Sequence, residues 1–466
     1  MSRPRNLNLL QGDLLPTIIR LGYPTALASA AQTLYNLADT FWLGKLGRQA
    51  LAAPVISFHI IFFIIAIGMG FSLTATALVS QYTGAGQPEK ARQAAGNILV
   101  YSVGFSFVLA ALGLIFERSL LRFLGTPEDT FYPTLIYLRI MLWGMPLAFP
   151  FFVYQSTMHG YGDTMSPLKV ELISVGLNLA VDPILIFGWL GMPALGVAGA
   201  ALATVFTRGL SSLIGLHFLF SRTKGLSLNL HHLRPETKIL PLMFRIGLPS
   251  SVGMSGTSLG FLVLLGIVNA FGSVIISAYG ISTRVVHLFM MPSLGVSHAV
   301  TAIVGQNLGA RRPDRAKAAV RLGIRLVLLI IVPSMILVAA LGKQLTIFFI
   351  PDDPLVHEIG GPMFLLVAPA VLFFSLAAVL NGAFQGSGFT VPVMVSNLSR
   401  IWLFRIPAVY LLCMLVLGGP GTSGAALGIW WGMLLSNFLA FVMIGIWYGR
   451  GAWTRARITL SDPPVG

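Results

Sequence analysis

Apolar residues run in long, nearly unbroken stretches along this chain, separated by short segments rich in Gly, Pro, Lys and Arg. The stretches fall near residues 17–43, 52–80, 94–116, 131–157, 166–189 and 193–219, then near 239–268, 277–303, 319–341, 359–384, 391–417 and 423–447. Each exceeds the roughly 20 residues that cross a hydrocarbon core as a helix. Backbone amides in lipid have no water to bond, so such runs are helical, and the two-residue alternation of barrel strands is absent. A soluble bundle would need polar outer faces, which these runs lack. The pattern predicts an all-α integral membrane protein with twelve transmembrane helices.

Composition agrees with that solvent. The 466 residues are 56% hydrophobic and 10% charged, against about 25% charged in soluble domains. The single cysteine, Cys413, lies in an apolar run and permits no intramolecular disulfide. A formal charge of +15 would suit nucleic acid if the bases formed a stripe with interleaved aromatics, but they sit in clusters between apolar runs, so no nucleic-acid partner is expected. The clusters instead report topology. One set of loops holds Arg3 and Arg5, Lys90 and Arg92, then Arg222, Lys224, Arg234 and Lys238, then Arg311, Arg312, Arg315 and Lys317, then Arg450, Arg455 and Arg457. The opposite loops hold only Lys45, Arg48, Arg118, Arg122 and Lys343, alongside Glu117, Glu128, Asp129, Asp352, Asp353 and Glu358. Basic loops face the cytoplasm, which places both termini there. The polar start has no small-residue cleavage site, so the first apolar segment is expected to stay in the protein.

The chain repeats itself. VSQYTGAGQPEKARQAA from Val79 matches VGQNLGARRPDRAKAAV from Val304, a shift of 225 positions (304 minus 79). The same shift carries Arg20, Gly22 and Pro24 onto Arg245, Gly247 and Pro249. It also carries Gly196, Gly199, Ala200, Ala201 and Leu202 onto Gly421, Gly424, Ala425, Ala426 and Leu427. Three segments agreeing on one shift, polar residues included, indicate duplication. The halves are expected at 1–235 and 236–466, two homologous six-helix bundles. Six spans per half is an even number, so the pseudo-twofold axis runs along the membrane normal and a cavity between the halves is the natural substrate site.

Several chemistries are missing from the pattern. There is no phosphate loop, no soluble nucleotide domain and no metal-ligand spacing, so neither an enzyme nor a cofactor is expected. A GxSxG match at Gly256, Thr257, Ser258, Leu259 and Gly260 lies inside a span, where small residues four apart form a packing face rather than a hydrolase elbow. His287 and His298 share a helical face and are expected to be packed and hydrogen-bonded. Arg139, Arg208, Arg284, Arg400 and Arg405 lie in spans and receive no chemistry: they snorkel or pair with an acid.

The carboxylates carry more information, because an ionised acid in the bilayer is costly and usually functional. Asp39 and Asp182 fall inside spans, both in the first half. Glu171 is a third candidate: it precedes Asp182 by eleven residues, close to three turns, so the two share a face. Asn178, four residues before Asp182, shares it as well. The shift of 225 puts Leu264 opposite Asp39, so the acid is not part of the common scaffold. Desolvation and a like-charged neighbour together suit such acids to loading and releasing a proton.

These residues resemble the multidrug and toxic compound extrusion (MATE) family, and more narrowly its prokaryotic DNA-damage-inducible (DinF-like) subgroup. The resemblance rests on NLADTFWLGKLG from Asn36, on the paired SQYTGAG and GQNLGAR segments, and on LNLAVDPILIFG followed by GVAGAALAT. It implies two six-helix lobes in a V and a secondary active multidrug efflux transporter. Such a protein exports cationic or amphipathic small organic molecules in exchange for protons or, alternatively, sodium, and works as a monomer in a bacterial or archaeal cytoplasmic membrane. It also implies a cation-responsive site at Asp39, Asn178 and Asp182, with Gln32, Tyr35, Asn36, Trp42, Tyr137 and Gln155 as cavity neighbours and Pro24 where the first helix bends. Other branches of the family also use acids in the second lobe, whereas the second half here has none in its spans. Glu171 stands where the subgroup has a less polar residue. The alternative within the same superfamily is a flippase for lipid-linked saccharides, whose cavities are more basic. On the efflux reading, ionised Asp39 and Asp182 favour a bound organic cation and protonation from outside releases it.

Overall fold

The computed structural model describes residues 9–221, 226–419, 422 and 424–455; of residues 48 and 49 it describes the backbone alone. Arg3, Arg5, Arg222, Lys224, Arg457 and Gly421 lie outside the described residues, as does the Arg48 side chain. The first half is α1 (Leu14–Gly44), α2 (Arg48–Gly84), α3 (Pro88–Phe123), α4 (Glu128–Tyr161), α5 (Met165–Phe187) and α6 (Val197–Phe220). After a short 3-10 turn at Leu230–Leu233 come α7 (Ile239–Asn269), α8 (Gly272–Gly309), α9 (Pro313–Ala340) and the eight-residue α10 (Gly342–Phe349). The chain then forms α11 (Pro354–Gly386), a compound span of α12 (Val391–Leu398) and α13 (Ile406–Tyr410), and α14 (Leu427–Gly449).

Eleven of these elements are long and apolar enough to cross a membrane, counting Val391–Val416 as one. The twelfth span is α1, whose 31 residues suffice in length. It falls short in hydropathy because it carries Gln32, Thr33, Asn36, Asp39 and Thr40 within three turns. Of these, Asp39 and Gln32 are half-buried, whereas Thr33, Asn36 and Thr40 are exposed. Helix ends follow the expected stretches closely, and α10 is an amphipathic addition that the apolar pattern did not announce.

Punctuation is local. Pro88 and Pro313 open α3 and α9, where a missing N–H costs nothing and the fixed φ suits the first turn. Gly188 ends α5 at φ 77° with Met192 O 2.7 Å from where a Cβ would stand, so the tight return to α6 requires glycine.

The halves interlock reciprocally. The start of α1 is buried in the second half's core, with Ile18 and Leu21 packed among residues of α8 and α9. The start of α7 does the converse, with Ile239 and Ile246 buried among Ala75, Leu78 and Ile98 of the first half. Leu21 and Ile246 are themselves 225 apart. At the two crossings Gly22 lies against the Gly295 backbone and Gly70 against the Ser251 backbone, again a pair of positions related by 225 (70 and 295). Small residues allow that approach where lipid supplies no hydrophobic drive between helices.

One span departs from α geometry. Ser399–Arg405 and Leu411–Val416 are π-helical, flanking α13. The corresponding first-half helix, α5, is regular α.

Candidate functional site

Four helices of the first half, α1, α4, α5 and α6, supply the site. On α1, Gln32, Tyr35, Asn36 and Asp39 follow the spacing i, i+3, i+4, i+7, which is one helical face. That face packs on α5, where Glu171, Asn178 and Asp182 also line one side. The third helix, α6, contributes Thr204, Thr207 and Arg208. Asp39 and Asp182 each stand five residues before the end of their helix (44 minus 39, 187 minus 182), so they reach the same level.

Asp182 and Asn178 are wholly buried, and Asn178 Nδ2 donates to Asp182 Oδ1 at 3.1 Å. The Asp39 carboxyl stands beside that of Asp182. Tyr137 enters from α4, buried, within electrostatic reach of both acids and of Tyr35. Asp39 Oδ1, Asp182 Oδ2, Asn178 Oδ1, Thr204 Oγ1 and the Tyr35 hydroxyl have no hydrogen-bond partner among the described residues. Buried polar atoms are almost always satisfied, and a cluster of open oxygens is a donor set whose chemistry suits a proton or a hard cation. Two carboxylates so placed repel each other, and either ligand relieves the repulsion.

Glu171 lies apart from this pair in its chemistry. Arg208 Nη1 donates to both of its oxygens, at 3.1 and 3.0 Å. The other Arg208 nitrogen, Nη2, reaches Gln32 Oε1, and the guanidinium lies over the Tyr35 ring at 4.9 Å. The Glu171 charge is therefore already matched inside the lobe, whereas Asp39 and Asp182 have no ion pair among the described residues.

The remaining expected neighbours distribute unevenly. Trp42 belongs to an aromatic group at the end of the site, with Phe187 at 6.0 Å and Trp189 at 6.1 Å. Asn36 is exposed and accepts from Gln32 Nε2 at 3.3 Å. Gln155 is on α4 like Tyr137 but 18 residues further on (155 minus 137), about 27 Å along the helix, and stands apart from the acids. Pro24 is inside α1, which continues through it. Thr204 and the Phe187–Trp189 pair have no mark in the sequence, because α6 shows no polar stripe beyond what packing explains; Arg208, expected to snorkel or pair with an acid, pairs with Glu171.

Elsewhere, Arg139 pairs with Glu117 and Arg284 is exposed. His298 does not pair with His287 but faces His159 of the first half, ring centroids 5.7 Å apart. Gly256–Gly260 is regular α7, and Gly260 packs on Ile401. Glu89, His231 and His232 bring ligand atoms within 4.8 Å. However, His232 Nδ1 accepts from the Asn229 N–H at 2.8 Å, which leaves the proton of a neutral ring on Nε2, facing Glu89 Oε1 at 2.7 Å. That set is a hydrogen-bonded clamp on the connection between the halves.

Comparison with known proteins places this geometry. The MatE family profile matches residues 24–184 and again 249–411, once in each half. A probable multidrug resistance protein of Bacillus subtilis, YoeA, is 28% identical over 94% of this chain and 93% of its own length. A FAD transporter of Shewanella oneidensis is 26% identical over 86% of this chain and 88% of its own. A MATE crystal structure in a straight conformation superposes with a TM-score of 0.87 at 24% identity, covering 97% of this chain and 99% of that one.

Proposed function

We propose, from the premise that this chain belongs to the MatE family of membrane transporters, that it is a secondary active exporter of small organic molecules driven by a cation entering through the first lobe. Relatives named as multidrug resistance and multidrug export proteins support drug efflux, and no relative named here favours the saccharide flippase. A bacterial or archaeal cytoplasmic membrane, termini on the cytoplasmic side, and a boundary between halves near residues 235 and 236 complete the reading. A single chain supplies both lobes and the whole acid cluster, so a monomer suffices.

The observation that carries the coupling is the pair Asp39 and Asp182, side by side on α1 and α5 with one oxygen each left open. Asn178, Thr204 and Tyr35 add neutral oxygens, a donor set that suits a proton or sodium. Occupancy of this pocket changes the charge between α1, α5 and α6, and an exporter requires that the ion and the cargo favour different arrangements of those helices. Glu171 is held by Arg208 and serves as a fixed element of the wall.

Proteoliposomes loaded with rhodamine 6G test this. Under an imposed proton or sodium gradient, D39N and D182N are expected to lose at least nine-tenths of coupled export. Full gradient-driven export by both variants would end the proposal. Running the two gradients separately identifies the ion.

A further inference from the structure

The second lobe buries charge of the opposite sign in its fifth span. Arg400 and Arg405 are 8% and 5% exposed, near the middle of the span Val391–Val416. Neither has an ion pair with any described acid. Among the described residues Arg405 bonds only neutral acceptors, Ser436 Oγ at 2.9 Å through Nε and Asn437 Oδ1 at 2.6 Å through Nη2. Arg400 makes no hydrogen bond with any described residue and rests over the Phe374 ring at 5.2 Å. The ring of Phe261, 40% exposed, covers Arg405 at 5.7 Å.

Backbone geometry puts the two together. In an α-helix, residues five apart point about 140° away from each other. Ser399–Arg405 is π-helical, with bonds closing on i+5, so residues five apart are a little over one turn apart and lie on nearly the same face. The π turn buries both guanidinium groups, with Arg405 close enough to act electrostatically on Arg400. Moving back by 225 turns Arg400 into Val175 and Arg405 into Ala180. Val175 packs on Tyr35 in the acid site of the first lobe, so Arg400 takes the pseudo-equivalent place, whereas Ala180 is exposed and Arg405 turns inward only through the π geometry.

A buried cation is expensive unless it is paired, and Arg is the side chain best shaped to hold an oxyanion in two parallel hydrogen bonds. We infer that Arg400 and Arg405 form an oxyanion-binding site in the second lobe, which takes the carboxylate or phosphate of an aromatic cargo whose rings lie against Phe261 and Phe374. This rests on the transporter reading and extends its cargo from cations to anions and zwitterions.

Two xanthene dyes separate the charges on one ring system: fluorescein, a carboxylate anion, and rhodamine 6G, a cationic ester. Polarisation titrations on the purified chain in nanodiscs are expected to show R400Q lowering fluorescein affinity at least tenfold relative to rhodamine 6G. R400K, which keeps the charge but not the fork, should recover part of that ratio. R400Q is the primary variant because Arg400 holds no other side chain in place, whereas Arg405 anchors α14. An unchanged ratio in R400Q, or no saturable fluorescein binding by the wild-type chain, overturns the inference. Failure of rhodamine 6G export would instead overturn the transporter reading, and it is read on the other dye.

Discussion

Gln81 and Gln306 perform the same act in opposite directions across the two halves. Gln81 Nε2, on α2, donates to the Gly386 carbonyl of α11 at 2.9 Å. Gln306 Nε2, on α8, donates to the Gly160 and Tyr161 carbonyls of α4 at 3.0 and 3.1 Å. Both the glutamines and the acceptors Tyr161 and Gly386 differ by 225. The repeated sequence motif is thus the seam at which the lobes meet. It works only because glycine lies opposite: a Cβ on Gly84 would stand 1.9 Å from Gln306 O, and one on Gly309 2.0 Å from Gln81 O.

Gly84→Val and Gly309→Val are therefore expected to hold the lobes apart at this end. Spin labels on α2 and α8 near the seam should report a longer distance, and coupled export should fall at least tenfold. Gln306→Ala, which removes two hydrogen bonds without adding bulk, should cost only about 1–3 kcal/mol. Equal label distances in wild type and Gly84→Val would remove the seam's role in closure.

The Glu171–Arg208 pair yields a second expectation. Arg208→Met installs the residue that the second lobe carries at Met433, yet leaves Glu171 buried with its charge unmatched. Breaking a buried pair from one side costs about 3–5 kcal/mol. Adding Glu171→Gln should restore most of it, a strongly non-additive cycle. Thermal unfolding in detergent reads both steps, and additive losses would show that the pair is not a unit.

Much of the fold was legible because span length and apolar content are set by the bilayer, and the shift of 225 is visible without coordinates. Asp39, Asn178 and Asp182 were legible because acids are scarce in spans and periodicity assigns a face. The partner of Glu171 was not, since Arg208 lies 37 residues away and only the packing of α5 on α6 brings them together. Arg400 and Arg405 were dismissed for a related reason. Their spacing of five puts them on different faces of an α-helix, and the switch to π geometry leaves no pattern in SRIWLFR. Gln155 was grouped with the site by resemblance, although its distance along α4 separates it.

Ser258 tests the packing reading of its motif. It lies within an unbroken helix rather than at a strand-to-helix turn, so Ser258→Ala should leave rhodamine 6G export intact. Gly260 should be intolerant: a Cβ there meets Ile401 Cγ2 at 2.1 Å, next to Arg400. Overpacking of this kind costs about 1–3 kcal/mol, visible as a lowered Tm for Gly260→Val. Lost export in Ser258→Ala would reopen the case for chemistry at that serine.

The clamp on the connection between halves gives the last expectation. Asn97 Nδ2, on α3, donates to the His232 and Arg234 carbonyls, both at 3.2 Å, while its Oδ1 accepts the Glu236 N–H at 2.5 Å. Tyr101 adds a bond to Glu236 O at 3.0 Å, and Glu89 receives both His231 and His232. One buried amide thus satisfies three backbone groups of the connecting segment, and Asn97→Ala leaves them unpaired at once. A cost of about 1–3 kcal/mol for each group left unsatisfied should loosen the segment around His232–Glu236 from α3 before either helical bundle unfolds, while Leu226 and Leu228 keep the earlier part of the connection in the first half's core. Limited proteolysis should then cut between the lobes several times faster in Asn97→Ala than in wild type, with the six-helix fragments surviving. Equal cleavage rates would mean that Glu89 and the histidines hold the segment without Asn97, and Glu89→Ala on the Asn97→Ala background would show whether they do.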